Sequence, residues 1–484
     1  MPLLASDPAR NEQLGHLRDS HPVFRVEDTR SAVDGGTVRL EFRFTCGETT
    51  FAPSVEFAGL RPDEAARVSA PTARRLVRAL AIVEAFSYWK AFCSPVIEVA
   101  LPSADPAETS WWESFWPKAM GEFFYRNGID FIAPGFLRIT ARPSPATAGE
   151  PVGSAPDISG SAPPLVMFSG GKDSLALTYA IRGDATPATD FFLYNPTEGQ
   201  RALAESLADG GGIIEVRRQV LPELLALNAS GHPNGHTPYS AYLALAALLV
   251  GYLRGNPMVL AGNSRSDDEP NVGSYLGMPV NHQWTKSHEF EAALGGYRDR
   301  WLPGAPLYSS PLRPLLELQI IRSLKPHMDA YLRTASCNKM KGLGWCRKCA
   351  KCAWVFLATS GLFGHDLAVS KAGGDLFADP ELSGLYEAMA GMAGMAGAGD
   401  KPFECTGTEE EVRSAIQAAG QYGTDLRPRR VPARPRCPSR EAARCAPQGL
   451  GTGRPASRGT ESTGPPRRAP VAESQSLTLK VTLR

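Results

Sequence analysis

Pro164-Leu165-Val166-Met167-Phe168 runs directly into Ser169-Gly170-Gly171-Lys172-Asp173-Ser174 and then into Leu175-Ala176-Leu177-Thr178-Tyr179-Ala180-Ile181. An apolar run that breaks at two glycines and resumes with helical character predicts a buried strand, a tight turn and a helix start. Adjacent glycines let the backbone turn sharply and aim its N–H groups at phosphate oxygens, while the helix N-terminus adds partial positive charge. Ser169 and Ser174 add hydroxyl donors, and Lys172 adds a mobile cation. Asp173 would repel phosphate unless a cation lay between them, so it is assigned to Mg²⁺. A plain turn capped by Asp173 is the simpler reading; the complete string directly after a buried strand favours a nucleotide.

Strands and helices alternate beyond the loop. Strands are expected at Phe191–Tyr194, Ile213–Val216 and Met258–Leu260, with a helix at Tyr239–Leu253. That alternation predicts an α/β fold with a doubly wound parallel sheet, whose ligand site lies at the carboxyl ends of the strands. Upstream, residues 23–58 alternate apolar and polar side chains around Asp34-Gly35-Gly36, the pattern of an antiparallel hairpin. Pro62–Phe92 and Trp111–Arg126 have helical spacing. The expected organisation is an N-terminal α+β domain (1–140), a Pro/Ala/Gly/Ser linker (141–164), a nucleotide-binding domain (165–335), a cysteine knuckle with C-terminal helices (336–420) and a disordered basic tail (421–484).

Composition narrows the class. The chain has 484 residues, 43% hydrophobic and 21% charged, as in soluble globular proteins. Its longest apolar stretch, Tyr242–Leu253, is far short of the roughly 20 residues that span a bilayer, and the N-terminus lacks a secretory pattern. A cytoplasmic protein without a membrane partner is expected. Gln421–Arg484 holds 13 of the 51 Lys/Arg and 4 of the 50 Asp/Glu, leaving 38 against 46 before it. An acidic body offers no nucleic-acid footprint, so no nucleic-acid partner is expected.

Of nine cysteines, Cys337, Cys346, Cys349 and Cys352 cluster at spacings that close a tetrahedral thiolate shell, which points to structural Zn²⁺. Buried or redox cysteines and an iron–sulfur cluster are the weaker readings. The other five cysteines read as unpaired and incidental. Between the loop and the cysteines lie three polar clusters: Gly235-His236-Thr237-Pro238, Ala261-Gly262-Asn263-Ser264-Arg265-Ser266, and Asn281-His282-Gln283-Trp284-Thr285-Lys286-Ser287-His288. Arg265 can grip a carboxylate or phosphate with two prongs. His236, His282 and His288 are candidates for proton transfer, although a lone histidine is more often structural.

SGGKDS resembles the PP-loop signature SGG-x-DS of the adenine nucleotide alpha-hydrolases, not the Walker pattern. The resemblance implies a PP-loop (HUP-like) sheet and cleavage of ATP between its α and β phosphates. The cysteine cluster resembles the knuckle of PP-loop enzymes that make 7-cyano-7-deazaguanine. With Phe86-Ser87-Tyr88-Trp89-Lys90-Ala91, Gly121-Glu122-Phe123-Phe124-Tyr125-Arg126-Asn127-Gly128, GHTP, NSRS, VNHQWTKSHEFE, SPLRPLLEL, SCNKMKGLGWCRKCAKCAWVFLA and KPFECTGTEEEV, the chain resembles the UDP-N-acetyl-α-D-muramoyl-L-alanyl-L-glutamate epimerases over about residues 20–415.

That resemblance implies an ATP- and Mg²⁺-dependent inversion of the terminal L-Glu of a UDP-muramoyl dipeptide through an acyl-adenylate, releasing AMP and pyrophosphate for peptidoglycan synthesis. Ser169, Gly170, Gly171, Lys172, Asp173 and Ser174 would hold ATP, with Asp173 on Mg²⁺. Asp173, Lys172, His282 and Arg265 are the candidate catalytic residues, His282 the first choice of acid/base. Arg265, Asn263, Lys286 and His236 would bind substrate. The ligase that adds L-Glu to UDP-N-acetylmuramoyl-L-alanine would be a pathway partner. Two departures stand out. Ser264 occupies a position where the family is expected to be acidic, so a carboxylate is missing or is supplied by Asp267, Asp268 or Glu269. The tail after Gln421 reads as an extension or a shifted frame. The alternatives are another adenylating enzyme, deazaguanine synthase-like or amide-forming, and a non-catalytic nucleotide- or RNA-binding protein.

Overall fold

The strand Leu165–Met167 lies between Asp190–Tyr194 and Met258–Leu260 and runs parallel to both. Leu307–Ser309 extends the parallel set beyond Met258–Leu260, and Ile213–Arg218 extends it beyond Asp190–Tyr194. The chain therefore winds outward in one direction from Leu165–Met167 and then returns to its other side. Such a reversal opens a crevice at the carboxyl end of the first strand. The glycine loop leaves the sheet there. The structure, a computed structural model, describes residues 7–101, 105–143, 162–182, 188–337, 339–340, 344–392 and 401–421. Most of the expected linker and the basic tail beyond residue 421 lie outside these residues.

The expected α/β class with parallel strands is present, and the strand at Met258–Leu260 has the bounds read from sequence. The helices Lys172–Ile181 and Tyr239–Arg254 and the strands Asp190–Tyr194 and Ile213–Arg218 lie within one or two residues of expectation. Leu307–Ser309 went unread, because three residues carry too little periodicity to register.

The N-terminal strands depart from the single hairpin unit expected of them. Arg30–Asp34 and Thr37–Glu41 do form an antiparallel hairpin at the Asp34-Gly35-Gly36 turn. Thr37–Glu41 then pairs with Ser54–Ala58, which pairs antiparallel with Ile213–Arg218. The result is one eight-stranded sheet that crosses the expected boundary at residues 141–164. The reason is physical: Ile213–Arg218 would otherwise end the sheet with an open row of N–H and C=O groups. Val23–Val26, Phe44–Cys46 and Thr49–Phe51 join Val96–Leu101 and Arg138–Pro143 in a second, five-stranded sheet. The described residues belong to one unit.

The helix Pro71–Trp89 covers these sheets and buries nearly all its residues from Leu76 onward. One of them is charged. Glu84, 1% exposed, accepts a 2.8 Å hydrogen bond from Nε of Arg218 at the end of the Ile213–Arg218 strand. The pair fixes helix against sheet, and deleting one partner strands the other charge out of water. Glu84→Ala is expected to lower unfolding free energy by about 3–5 kcal/mol, read as a lower urea midpoint at unchanged slope; a shift under about 0.5 kcal/mol would mean that Arg218 finds another partner.

Candidate active site

Gly170 adopts a φ of +72°, the left-handed conformation that only glycine takes without strain, and Gly171 caps the helix Lys172–Ile181 in extended conformation. Inside the turn, the Ser169 backbone N–H donates to Ser174 Oγ at 3.3 Å, and Ser174 Oγ donates to the Gly171 carbonyl at 3.1 Å. Gln200 braces the loop by donating to the Ser169 carbonyl at 2.7 Å. Gly262, just past the Met258–Leu260 strand, packs so closely that a Cβ there would stand 3.0 Å from the Asp173 carbonyl carbon. The two strand-end loops thus meet at the reversal point.

Lys172 is not the mobile cation expected of it. Its ammonium, 2% exposed, lies 2.6 Å from Asp173 Oδ1 and 3.0 Å from Glu317 Oε2. Burial opposes the charge, but Asp173 and Glu317 outweigh it and hold the lysine pKa above its ordinary value. Glu317 also accepts a bond from the Trp354 indole N–H, and its own backbone N–H donates to Ser266 Oγ at 3.0 Å. Asp173, by contrast, keeps its carboxylate about one-third exposed at the loop mouth.

Glu122, His236 and His282 converge beyond the loop, from three distant parts of the sequence. Glu122, on the helix Gly121–Asn127, lies 2.5 Å from His282 Nδ1 and 3.2 Å from His236 Nδ1, and the two imidazole rings are 4.9 Å apart. The shared carboxylate separates their proton affinities. Burial works against charge on His282, yet hydrogen bonds to Cys405 and Glu122 raise its pKa to about 9. Burial and the neighbouring His282 charge lower that of His236 to about 4. Near neutral pH one ring is an imidazolium and the other neutral, the division of labour that acid–base chemistry needs. Lys90 borders the pair, donating to Asn234 Oδ1 and the Gly235 carbonyl at 2.8 Å each, with a pKa lowered by burial to about 8.

Lys286 connects the two halves. Its ammonium lies 3.1 Å from Cys405 Sγ and 3.2 Å from Gln283 Oε1, and it feels the charges of Asp267 and Asp173. Asp267 is buried beneath Ser264, accepting its backbone N–H at 2.6 Å, and burial raises its pKa to about 7. Arg313 ties the segments together by donating to the carbonyls of Ser264 and Lys286 at 2.7 and 2.6 Å.

The remaining expected residues are placed differently. Arg265 is exposed. Asn263 is buried, donating to Ser310 Oγ and the Tyr308 hydroxyl at 3.0 and 3.2 Å. His288 begins the helix His288–Trp301 on the surface. Sequence reading passed over Glu122, Glu317 and Cys405. A lone acid in the otherwise apolar start of Gly121–Asn127 was a usable signal for Glu122; Cys405, grouped with the incidental cysteines, carried none. A cavity of about 460 Å³ bordered by Leu14, Asn127 and His232 holds none of the clustered groups.

Cys337, Cys346, Cys349 and Cys352 bring their sulfurs within 4.8 Å of one another, with no disulfide among the described cysteines. The 3.9 Å between Cys346 and Cys352 is close to the roughly 3.8 Å edge of a thiolate tetrahedron with bonds of about 2.3 Å. Backbone N–H groups of Lys339, Met340 and Cys346 point at Cys337 Sγ. The cluster can hold a metal ion.

A family profile described as the MurL N-terminal domain matches residues 16–310, and one described as the MurL C-terminal domain matches residues 333–428. Curated proteins named UDP-N-acetyl-alpha-D-muramoyl-L-alanyl-L-glutamate epimerase are similar. The one from Salinispora tropica is 32% identical over 72% of this chain and 74% of its own length. The one from Xanthomonas oryzae pv. oryzae is 30% identical over 82% and 86%, and that from a Micromonospora strain 32% identical over 71% and 74%. No solved structure matches the chain. Among the described residues no helix is long and apolar enough to cross a membrane.

His282 offers a direct check on the site's electrostatics. Its folded-state pKa lies above the ordinary value of about 6.5, so the stabilisation from its contacts is complete below pH about 6.5 and is lost as pH rises through about 9. In Glu122→Gln the His282 pKa is expected to fall by about one unit or more, and that loss to move to correspondingly lower pH. Imidazole NMR titration measures it; an unchanged His282 titration would mean the carboxylate does not govern the ring.

Proposed function

Because the chain belongs to the MurL family, we propose that it is an ATP-dependent epimerase that inverts the terminal L-Glu of UDP-N-acetylmuramoyl-L-alanyl-L-glutamate, releasing AMP and pyrophosphate. The observation that carries this reading is the line of charged groups that runs from Asp173 in the glycine loop through Lys286 and Cys405 to the Glu122-linked rings of His282 and His236. Activation and proton exchange need adjacent machinery, and the line supplies both.

Chemistry requires the coupling. Removing the α-hydrogen beside an ionised carboxylate would add charge to charge. Adenylation removes that charge and lets the carbonyl delocalise the carbanion. In this reading the PP-loop sheet binds ATP at Ser169, Gly170, Gly171 and Ser174, and Lys172 stiffens the loop from beneath. Asp173, about one-third exposed at the loop mouth, would hold Mg²⁺, which neutralises phosphate charge when bound. Lys286 and the exposed Arg265 meet the substrate's anionic groups. Neutral His236 takes the α-proton, and the His282 imidazolium returns one to the other face. Zn²⁺ suits the thiolate set, closed to water and therefore structural. A cytoplasmic ligase that adds L-Glu to UDP-N-acetylmuramoyl-L-alanine would supply the substrate.

Incubation with ATP, Mg²⁺ and the dipeptide nucleotide tests the reading. Pyrophosphate, AMP and D-Glu after acid hydrolysis are expected in equal amounts. Pyrophosphate without D-Glu would leave an adenylating enzyme of other specificity, and the absence of both products would sink the proposal. Asp173→Ala is expected to slow pyrophosphate release by about a hundredfold or more, since it removes the link between protein and phosphate charge.

Metal analysis tests the knuckle separately. About one zinc ion per chain is expected by atomic emission, lost in Cys349→Ala together with thermal stability. A fully stable, metal-free wild-type chain would contradict the assignment.

A further inference from the structure

Cys405 stands where adenylation and proton exchange meet, half-buried, in the loop before the helix Glu409–Gly420. The loop is fixed firmly. Glu411 accepts hydrogen bonds from Ser266 Oγ at 2.6 Å, the Leu318 N–H at 2.8 Å and the Thr408 N–H at 2.9 Å. Lys401 Nζ lies 2.9 Å from Glu269 Oε1, and Asn271 donates to the Pro402 carbonyl at 2.7 Å while accepting from the His282 N–H. Three cations face the sulfur: Lys286 at 3.1 Å, the hydrogen-bonded His282 ring, and Lys351. Behind His282 stands Glu122. Nucleophile, histidine and orienting carboxylate in that order are the arrangement that activates a side chain for covalent catalysis.

We propose that Cys405 is a covalent nucleophile: it takes the acyl group from the adenylate, and inversion takes place on an enzyme-bound thioester. The inference rests on the epimerase reading above. The Cys405 sulfur attacks the acyl carbon, a C–S bond forms, the C–O bond to AMP breaks, and AMP leaves with the electron pair. The thioester carbonyl keeps the α-hydrogen acidic. His236 removes that proton from one face, and the His282 imidazolium delivers one to the other and becomes neutral. Water then adds to the thioester carbonyl, giving one proton to His282 and one to solvent, and the C–S bond breaks with sulfur leaving as thiolate. His236 releases its proton to solvent, and every side chain returns to its starting state.

Burial works against the charge on Cys405, but Lys286, Lys351 and His282 overcome it and lower the thiol pKa to about 5. Such a thiolate is abundant at neutral pH and departs readily in the closing hydrolysis.

The full chain with ATP, Mg²⁺ and the dipeptide nucleotide in D₂O, quenched in acid after seconds and peptide-mapped, tests this. In wild type, the Cys405 peptide is expected to gain the mass of the substrate less one water and to lose it in hydroxylamine. Cys405→Ala is expected to keep substrate-dependent ATP–pyrophosphate exchange within about threefold, which shows it folded and adenylating. It should lose D-Glu formation and α-deuterium incorporation by about a thousandfold. Cys405→Ser is expected to accumulate a hydroxylamine-resistant ester. If Cys405→Ala made D-Glu at about a tenth of the wild-type rate or faster, the thioester would be overturned while the epimerase reading stood. If wild type made no D-Glu, the epimerase reading would fall first and this proposal with it.

Discussion

The buried ammonium of Lys172 is the constraint around which the site is assembled. A charge at 2% exposure persists only with partners, and it has two, Asp173 beside it in the loop and Glu317 from a segment more than a hundred residues away. Glu317 is in turn pinned by the Trp354 indole, on the helix Ala350–Phe363 that follows the cysteine cluster, and by Ser266, which also donates to Glu411. One ion pair thus fixes the glycine loop, the loop after Met258–Leu260, the helix Ala350–Phe363 and the loop that carries Cys405. The cost of leaving any of these charges unpaired makes the arrangement cooperative.

What could be read from the sequence follows from the range of the forces involved. Ser169 to Ser174, the parallel strands and the four clustered cysteines are local signals, because a turn, a strand or a short-spaced ligand set is encoded by neighbours. Lys286 and His282 were legible because they share one polar segment. The fate of Lys172 was not, since its partner Glu317 is set by tertiary packing. Glu122 and Cys405 were hidden for the same reason: each is unremarkable among its sequence neighbours, and its meaning comes from His282. The joining of Ser54–Ala58 to Ile213–Arg218 depends on an open sheet edge that only the assembled fold reveals.

A single carboxylate explains why two nearby imidazoles need not compete. Glu122 touches both rings, but His282 also faces Cys405, whereas His236 faces only Glu122 among the anions acting on it and has Lys90 nearby. The proton therefore resides on His282, and its charge then discourages a second proton on His236. The different proton affinities of the two rings follow from the burial of His236 and from the asymmetric placement of one thiol.

The same asymmetry bears on direction. If the sulfur becomes acylated, His282 loses the anion that holds its proton, so its acidity rises at the moment a proton must be delivered to carbon. When hydrolysis frees the thiolate, the proton is drawn back. The ring's protonation state would follow the covalent state of the sulfur, coupling the two half-reactions through electrostatics alone, without movement of the backbone. A site held rigid by the Lys172 ion pair gains from such a device, because rigidity preserves the distances on which the coupling depends.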